Sequence, residues 1–99
     1  MAASDPMAFD IVSLGEPMVE FNQTGEGGGR LYLQGYGGDS SNFAIAAARQ
    51  GARVAYVSAL GDDPYGKLLR DLWDAEGVDH ASVKTDAQAY TAIYFVTHD

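Results

Sequence analysis

The 99-residue chain contains no cysteine. It therefore has no disulfide framework, no thiolate nucleophile and no zinc–sulfur site. Basic residues are scarce: only Arg30, Arg49, Arg53, Lys67, Arg70 and Lys84, no two adjacent, stand against 14 acidic side chains, for a net charge of −8. Nucleic acid and anionic membrane surfaces attract clustered Lys and Arg, so neither is an expected partner. Long apolar runs are missing too: stretches such as 44–48 and 92–96 fall far short of the ~18–20 residues that cross a bilayer. The opening MAASDPMAFD lacks the basic and apolar segments of a secretory signal, and residues 1–6 read as a loose leader. These absences predict a soluble, cytoplasmic protein.

What is present is globular. A content of 46% hydrophobic and 20% charged residues excludes wholesale disorder. The length suits one domain burying roughly 60–70% of its unfolded-chain surface, and is too short for a two-domain enzyme.

Residues 9–14 (FDIVSL) read as a short buried strand ending at Gly15. Met18-Val19-Glu20-Phe21 alternates apolar and polar as a half-exposed strand does. A flexible turn over 24–29 follows, and 31–34 resumes the extended pattern, predicting a hairpin whose long loop leaves its register open. A second glycine-rich segment, 35–42, opens a helix over 42–50. Its alanines favour the helix and let it approach a sheet closely. Asp39, Ser40 and Ser41 are able N-caps, and Gly51 suits the left-handed position past its end.

Residues 54–60 form a mostly apolar run, as for a strand covered on both faces. Asp62 and Asp63 precede Pro64, a favoured first-turn residue, and a helix runs to about Glu76 with Leu68, Leu69, Leu72 and Trp73 as its buried stripe. Gly77 closes it, and 91–97 is a last strong strand. The order β-β-β-α-β-α-β predicts an α/β fold with parallel pairing. The chain stops at His98-Asp99, directly after a strand that needs neighbours on both sides. This predicts the N-terminal piece of a longer protein.

Gly37-Gly38-Asp39-Ser40-Ser41-Asn42 is the leading candidate site. Two adjacent glycines remove side-chain bulk, so a ligand can touch backbone. The helix start supplies N–H groups for an anion or a hydroxyl-rich ligand, and the Asn42 amide complements sugar hydroxyls. A plain glycine turn with an N-cap is the alternative. The segment is no phosphate loop of the Gly-Lys-Ser/Thr kind. Gly25-Glu26-Gly27-Gly28-Gly29 precedes a strand, not a helix, and so fails as a dinucleotide fingerprint. Asp62 and Asp63 read as helix caps rather than metal ligands. His80 and His98 read as solvated or loop residues without a partner at ligand spacing.

Gly37, Gly38, Asn42, Ala44, Gly51 and Gly61 fall at the spacing of the N-terminal signature of ribokinase-like (PfkB) carbohydrate kinases, which the run over 37–78 resembles almost throughout. Ser40 departs from the small Gly, Ala or Pro usual there. The resemblance implies a ribokinase-like three-layer α/β fold, of which residues 1–99 form the N-terminal part, with lid strands near 18–34 and 91–97. It implies ATP-dependent phosphoryl transfer to a carbohydrate hydroxyl. The turn Gly15-Glu16-Pro17-Met18 is similar to that of 2-keto-3-deoxygluconate kinases and some fructokinases. The strand holding Tyr94 resembles the keto-deoxygluconate kinase strand whose tyrosine contacts substrate. The implied substrate contacts are Gly37, Gly38, Asn42, Tyr94 and Glu16, with a sugar or sugar acid as partner and a homodimer through the lid.

The catalytic Asp of the resemblance lies in a C-terminal Gly-Ala-Gly-Asp motif that this chain lacks. No catalytic or metal residue is therefore assigned here. ATP and Mg2+ are expected in the full-length enzyme and not on this segment alone, which is expected to be inactive by itself. Arginines for an acidic substrate would also lie beyond Asp99. A non-catalytic α/β binding or dimerisation module is the competing expectation.

Overall fold

The computed structural model describes residues 8–99, so the reading of 1–6 as a leader lies outside the described residues. Six strands and two helices follow in chain order. They are β1 (Ile11–Leu14), β2 (Met18–Gln23), β3 (Tyr32–Gly37), α1 (Asp39–Arg49), β4 (Val54–Gly61), α2 (Pro64–Glu76), β5 (Val83–Asp86) and β6 (Ile93–Val96). Two three-stranded sheets result, β1-β4-β5 and β3-β2-β6. The first is parallel throughout. The second pairs the antiparallel β2–β3 hairpin with β6, which runs parallel to β2. The α/β class and the parallel pairing are as expected from the alternation of strands and helices.

β5 was not anticipated. Its four residues, VKTD, bury only Val83, so there is no periodicity to read. Tertiary contacts hold it instead: Arg70 of α2 donates to the Val83 carbonyl (2.8 Å) and to Thr85 Oγ1 (3.0 Å). β3 also differs from expectation by running past Gln34 through Gly35-Tyr36-Gly37, into the glycine-rich segment that opens the helix. β2 faces these glycines with Glu20 opposite Gly35 and Met18 opposite Gly37. Glycine inside a strand marks a close approach, and here Tyr94 from β6 fills the space over Gly37.

α1 packs on β1 and β4, α2 packs on β4 and β2, and the helices touch each other. Between them lies a core of Val19, Ala44, Ile45, Val54, Tyr56, Leu60, Leu69, Trp73, Val78 and Val83. Within the expected α2 stripe, Leu69 and Trp73 are fully buried, while Leu68 and Leu72 pack at its margin. Trp73 sits 5.0 Å from the Tyr56 ring and donates its indole N–H to Ser41 Oγ at 2.9 Å. Val12 and Leu14 alternate with buried Ser13 and point to the other face of the first sheet, where they are 58% and 74% exposed. No helix among the described residues is long and apolar enough to cross a membrane.

The caps of α2 follow expectation. Pro64 opens it, and Gly77 ends it in the left-handed region at φ 74°. Asp63 is the N-cap, its Oδ1 accepting from the Gly66 N–H at 2.8 Å. Asp62 makes no such bond. Asp63 also holds the chain entering β6, since its Oδ2 accepts from the Thr91 N–H at 2.9 Å. Burial pushes this carboxyl up, but the N–H donors of Thr91 and Gly66 outweigh it and hold it below the ordinary aspartate value.

Asp63→Ala should therefore lower stability by about 1–2 kcal/mol in urea unfolding at neutral pH. A carboxyl depressed in the folded state stabilises fully above its unfolded pKa of about 3.9 and loses that contribution as pH falls through the folded value. The gap between wild type and variant should close over that acidic window and stay constant above it.

Candidate functional site

The two sheets meet where β3 hands over to α1. Gly38 adopts φ 96°, ψ 121° and serves as the N-cap of α1, with no side-chain cap. A side chain there would stand 2.5 Å from the Glu16 carbonyl oxygen and 3.1 Å from Pro17 Cα, so only glycine permits the approach. At Gly37 a Cβ would collide with the Tyr94 hydroxyl. The glycine pair is thus clasped between the β1–β2 turn and Tyr94.

The helix starts three residues earlier than the sequence suggested. Asp39, Ser40 and Ser41, read as N-caps, lie in its first turn, and the Asn42 N–H donates to the Gly38 carbonyl at 2.9 Å. The reason is that the serine oxygens are engaged elsewhere. Ser40 Oγ is 2.7 Å from the Tyr56 hydroxyl, and Ser41 Oγ takes the Trp73 indole proton. Ser13 Oγ donates to the Ser40 carbonyl at 3.1 Å, and Ser58 Oγ to that of Gly15 at 2.6 Å. Ser40, the departure from the resemblance, fits because Gly15 has no side chain to collide with its hydroxyl. Burial pushes the Tyr56 phenol up, and its bonds with Ser40 and Ser58 only partly offset this.

The structure joins all five residues named from the sequence. Gly37, Gly38 and Asn42 are contiguous around the helix start, the Glu16 backbone lies against Gly38, and Tyr94 covers Gly37. The side chains of Glu16 and Asn42 are exposed. Tyr94 is half-buried and donates its hydroxyl proton to Glu20 Oε1 at 2.8 Å. That bond to Glu20, then burial, then the nearby charges of Glu20 and Asp39 hold the phenol above its ordinary value. Sequence reasoning missed Glu20. The alternation in β2 put it on the polar face, but nothing local linked it to a tyrosine 74 residues away.

Both histidines lie in loops, as expected, and each has a hydrogen-bond partner. His80 packs 5.9 Å from the Trp73 ring, with Nε2 2.6 Å from Asp74 Oδ1 and Nδ1 3.0 Å from Arg70 Nη1. Arginine only donates, so His80 Nδ1 accepts and Nε2–H faces the carboxylate. His98 Nε2 lies 2.8 Å from Asn22 Oδ1. Among the described residues no three His, Asp or Glu side chains converge to hold a metal ion.

The sequence that builds this glycine-clasped helix start matches the pfkB family carbohydrate kinases over residues 8–99, and the chain belongs to that family. It is similar to the probable fructokinase-4 of Arabidopsis thaliana, at 39% identity over 98% of this chain and 31% of the relative. It is also similar to the 2-dehydro-3-deoxygluconokinase of Thermoproteus tenax, at 38% identity over 87% of this chain and 27% of that protein. Among solved structures, an uncharacterized sugar kinase from Pyrococcus horikoshii in complex with ATP superposes with a TM-score of 0.81 at 31% identity, over 86% of this chain and 29% of the other. The ribokinase-like fold expected from the sequence is the one shared with these kinases. The chain spans less than a third of the length of these relatives.

Gly38→Ala should cost more than about 1 kcal/mol, since alanine is strained at positive φ and its Cβ meets backbone. Gly25→Ala has open space around it and no positive φ, and should be near neutral. Parallel urea melts of the two variants check this; equal destabilisation would refute the clasp.

Proposed function

We propose that this chain is the sugar-binding portion of an ATP-dependent carbohydrate kinase, transferring the γ-phosphoryl group to a sugar or sugar-acid hydroxyl. The observation that carries the reading is the Gly37-Gly38 clasp, which holds the start of α1 and its exposed Asn42 against the β1–β2 turn and Tyr94, in a chain of the pfkB family. In this reading Gly37 and Gly38 let the sugar approach the backbone, Asn42 and Glu16 bond its hydroxyls, and Tyr94 bounds it from β6. The resemblance of the Gly15-Glu16-Pro17 turn and the Tyr94 strand favours 2-keto-3-deoxygluconate, also called 2-dehydro-3-deoxygluconate, with fructose as the alternative. Relatives bearing both names support this pair.

Such transfer rests on positioning and charge stabilisation, and the residues here supply the positioning. ATP and Mg2+ belong to the whole enzyme. No acidic cluster among the described residues fits the metal, so no step through it is assigned to them. Without the Gly-Ala-Gly-Asp motif, residues 1–99 alone are expected to be inactive. The β3-β2-β6 sheet acts as a lid that excludes water on closing. Tyr36, Ile93 and Phe95, exposed and on one face of β3 and β6, suit a homodimer through that lid. A cytoplasmic location fits this soluble-kinase reading.

Asn42→Ala in the intact protein should raise the sugar KM by about tenfold or more, the worth of one to two hydrogen bonds, and leave the ATP KM within about twofold. Steady-state kinetics with each substrate varied in turn measures both. Equal effects on the two KM values would overturn the assignment.

A further inference from the structure

Thr91, which leads into β6, is buried and held from two directions. Its N–H donates to Asp63 Oδ2 at 2.9 Å, and its Oγ1 accepts from the Gly61 N–H at 3.0 Å. Gly61 is the last residue of β4, and Asp63 is the N-cap of α2. Both bonds depend on missing side chains. A Cβ at Gly61 would stand 2.6 Å from the Ala89 carbonyl oxygen and 2.8 Å from the Thr91 nitrogen. One at Gly66 would stand 3.1 Å from Thr91 Oγ1. The end of β4, the first turn of α2 and the entry to β6 therefore close on one another because two glycines permit it.

The Asp63 bond fixes where β6 starts. Pairing with β2 begins at the next residue: the Val19 N–H donates to the Ala92 carbonyl at 3.0 Å, and Tyr94 then lies opposite Glu20. A parallel pair has no tight turn to set its register, and the pattern of β6 sets it only weakly. Ile93, Tyr94, Phe95 and Val96 are apolar or aromatic on both faces, so a one-residue slip would still place a hydrophobic side chain on Phe21. The same slip would carry the Tyr94 hydroxyl away from Gly37 to the opposite face of the sheet. With Thr91 pinned to Asp63, the chain has no slack for it. The carboxylate is itself fixed, because its other oxygen accepts from the Gly66 N–H at 2.8 Å.

We propose that Asp63 is a positioning residue for sugar binding: its carboxylate ties the first turn of α2 to the entry of β6, and so holds the Tyr94 hydroxyl over the Gly37-Gly38 bend. This rests on the sugar-kinase reading and adds to it a residue that touches no sugar. Asn at this position separates the two duties of the carboxylate. Its amide oxygen caps a helix as well as aspartate does. The NH2 group that replaces Oδ2 is a donor facing the Thr91 N–H, so the link to β6 is lost.

The test compares wild type, D63N, Y94F and the double variant of the intact protein, with D-fructose and 2-keto-3-deoxygluconate as the sugars. D63N should raise the sugar KM by about fivefold or more and leave the ATP KM within about twofold. In the Y94F background the same change should add less than about twofold, because the hydroxyl being positioned is already gone. An ATP KM raised as much as the sugar KM, equal effects of D63N in both backgrounds, or no effect in either would each overturn the proposal. Amide hydrogen exchange on the ligand-free protein reads the link without any sugar. D63N should speed exchange of the β6 amides by about tenfold or more while the Gly66 amide keeps its protection. Unchanged exchange in β6 would overturn the proposal as well. A wild type that phosphorylates neither sugar fails the kinase reading and the proposal together, whereas an active wild type with an unaffected D63N fails the proposal alone.

Discussion

Close approach of two backbone segments, Gly38 against Glu16 and Pro17, lets the two sheets of this protein meet at one point. β1 and α1 belong to the first sheet and its helical layer, β2 and β3 to the second. The chain crosses between them three times, at Gly15–Pro17, at Gly38 and between β5 and β6. If either of the first two crossings were wider, the start of α1 would move away from β6, and Tyr94 would no longer cover Gly37. The positive φ of Gly38 and the missing side chain at Gly37, whose place Tyr94 takes, are thus conditions for the site as much as for the fold.

Hydroxyl groups then tie that crossing to the core. Ser40 and Ser41 sit in the first turn of α1, where such residues commonly bond their own helix end. Here they reach outward, to Tyr56 on β4 and Trp73 on α2. The two aromatic rings lie against each other, so both bonds converge on one buried unit. Among the described residues no buried side-chain polar atom lacks a partner. The helix start is consequently held by groups from both of its neighbouring elements, a rigid base for a binding loop. Removing the Ser41 hydroxyl would leave the Trp73 indole N–H buried and unpaired, which costs more than the bond itself is worth.

Much of this was legible in the sequence, for identifiable reasons. α2 announced itself through Pro64, the stripe ending in Trp73, and Gly77, each a local signal read without tertiary knowledge. The two glycines and Asn42 were legible because their types and spacing are themselves unusual. β5 was not, since VKTD has no pattern and is held by Arg70 from another element. The true N-cap of α1 was hidden because three better capping residues follow it, and only the distant partners of Ser40 and Ser41 reveal why those two do not cap. The hydrogen-bond partners of the histidines were hidden on the same ground: those of His80 lie 6 and 10 residues away on a helix that turns toward it, and Asn22 lies 76 residues from His98. Local chemistry was readable; pairings across the fold were not.

The register of β2 links the core to the site. Met18, Glu20 and Asn22 face one way, toward Gly37, Gly35 and Tyr94. Val19 and Phe21 face the other, where Val19 is fully buried and Phe21 stacks on Phe95 and meets Tyr65 of α2 edge-on. A slip of one residue would turn Glu20 into that aromatic cluster and set Phe21 against the Tyr94 side. Burying an unpaired carboxylate among rings is heavily penalised, and so is exposing Phe21 to water. The apolar packing that stabilises the second sheet therefore also fixes the polarity of its other face. Glu20 meets Tyr94 because Phe21 must meet Phe95 and Tyr65, so the hydrogen bond that orients the phenol follows from the hydrophobic core behind it.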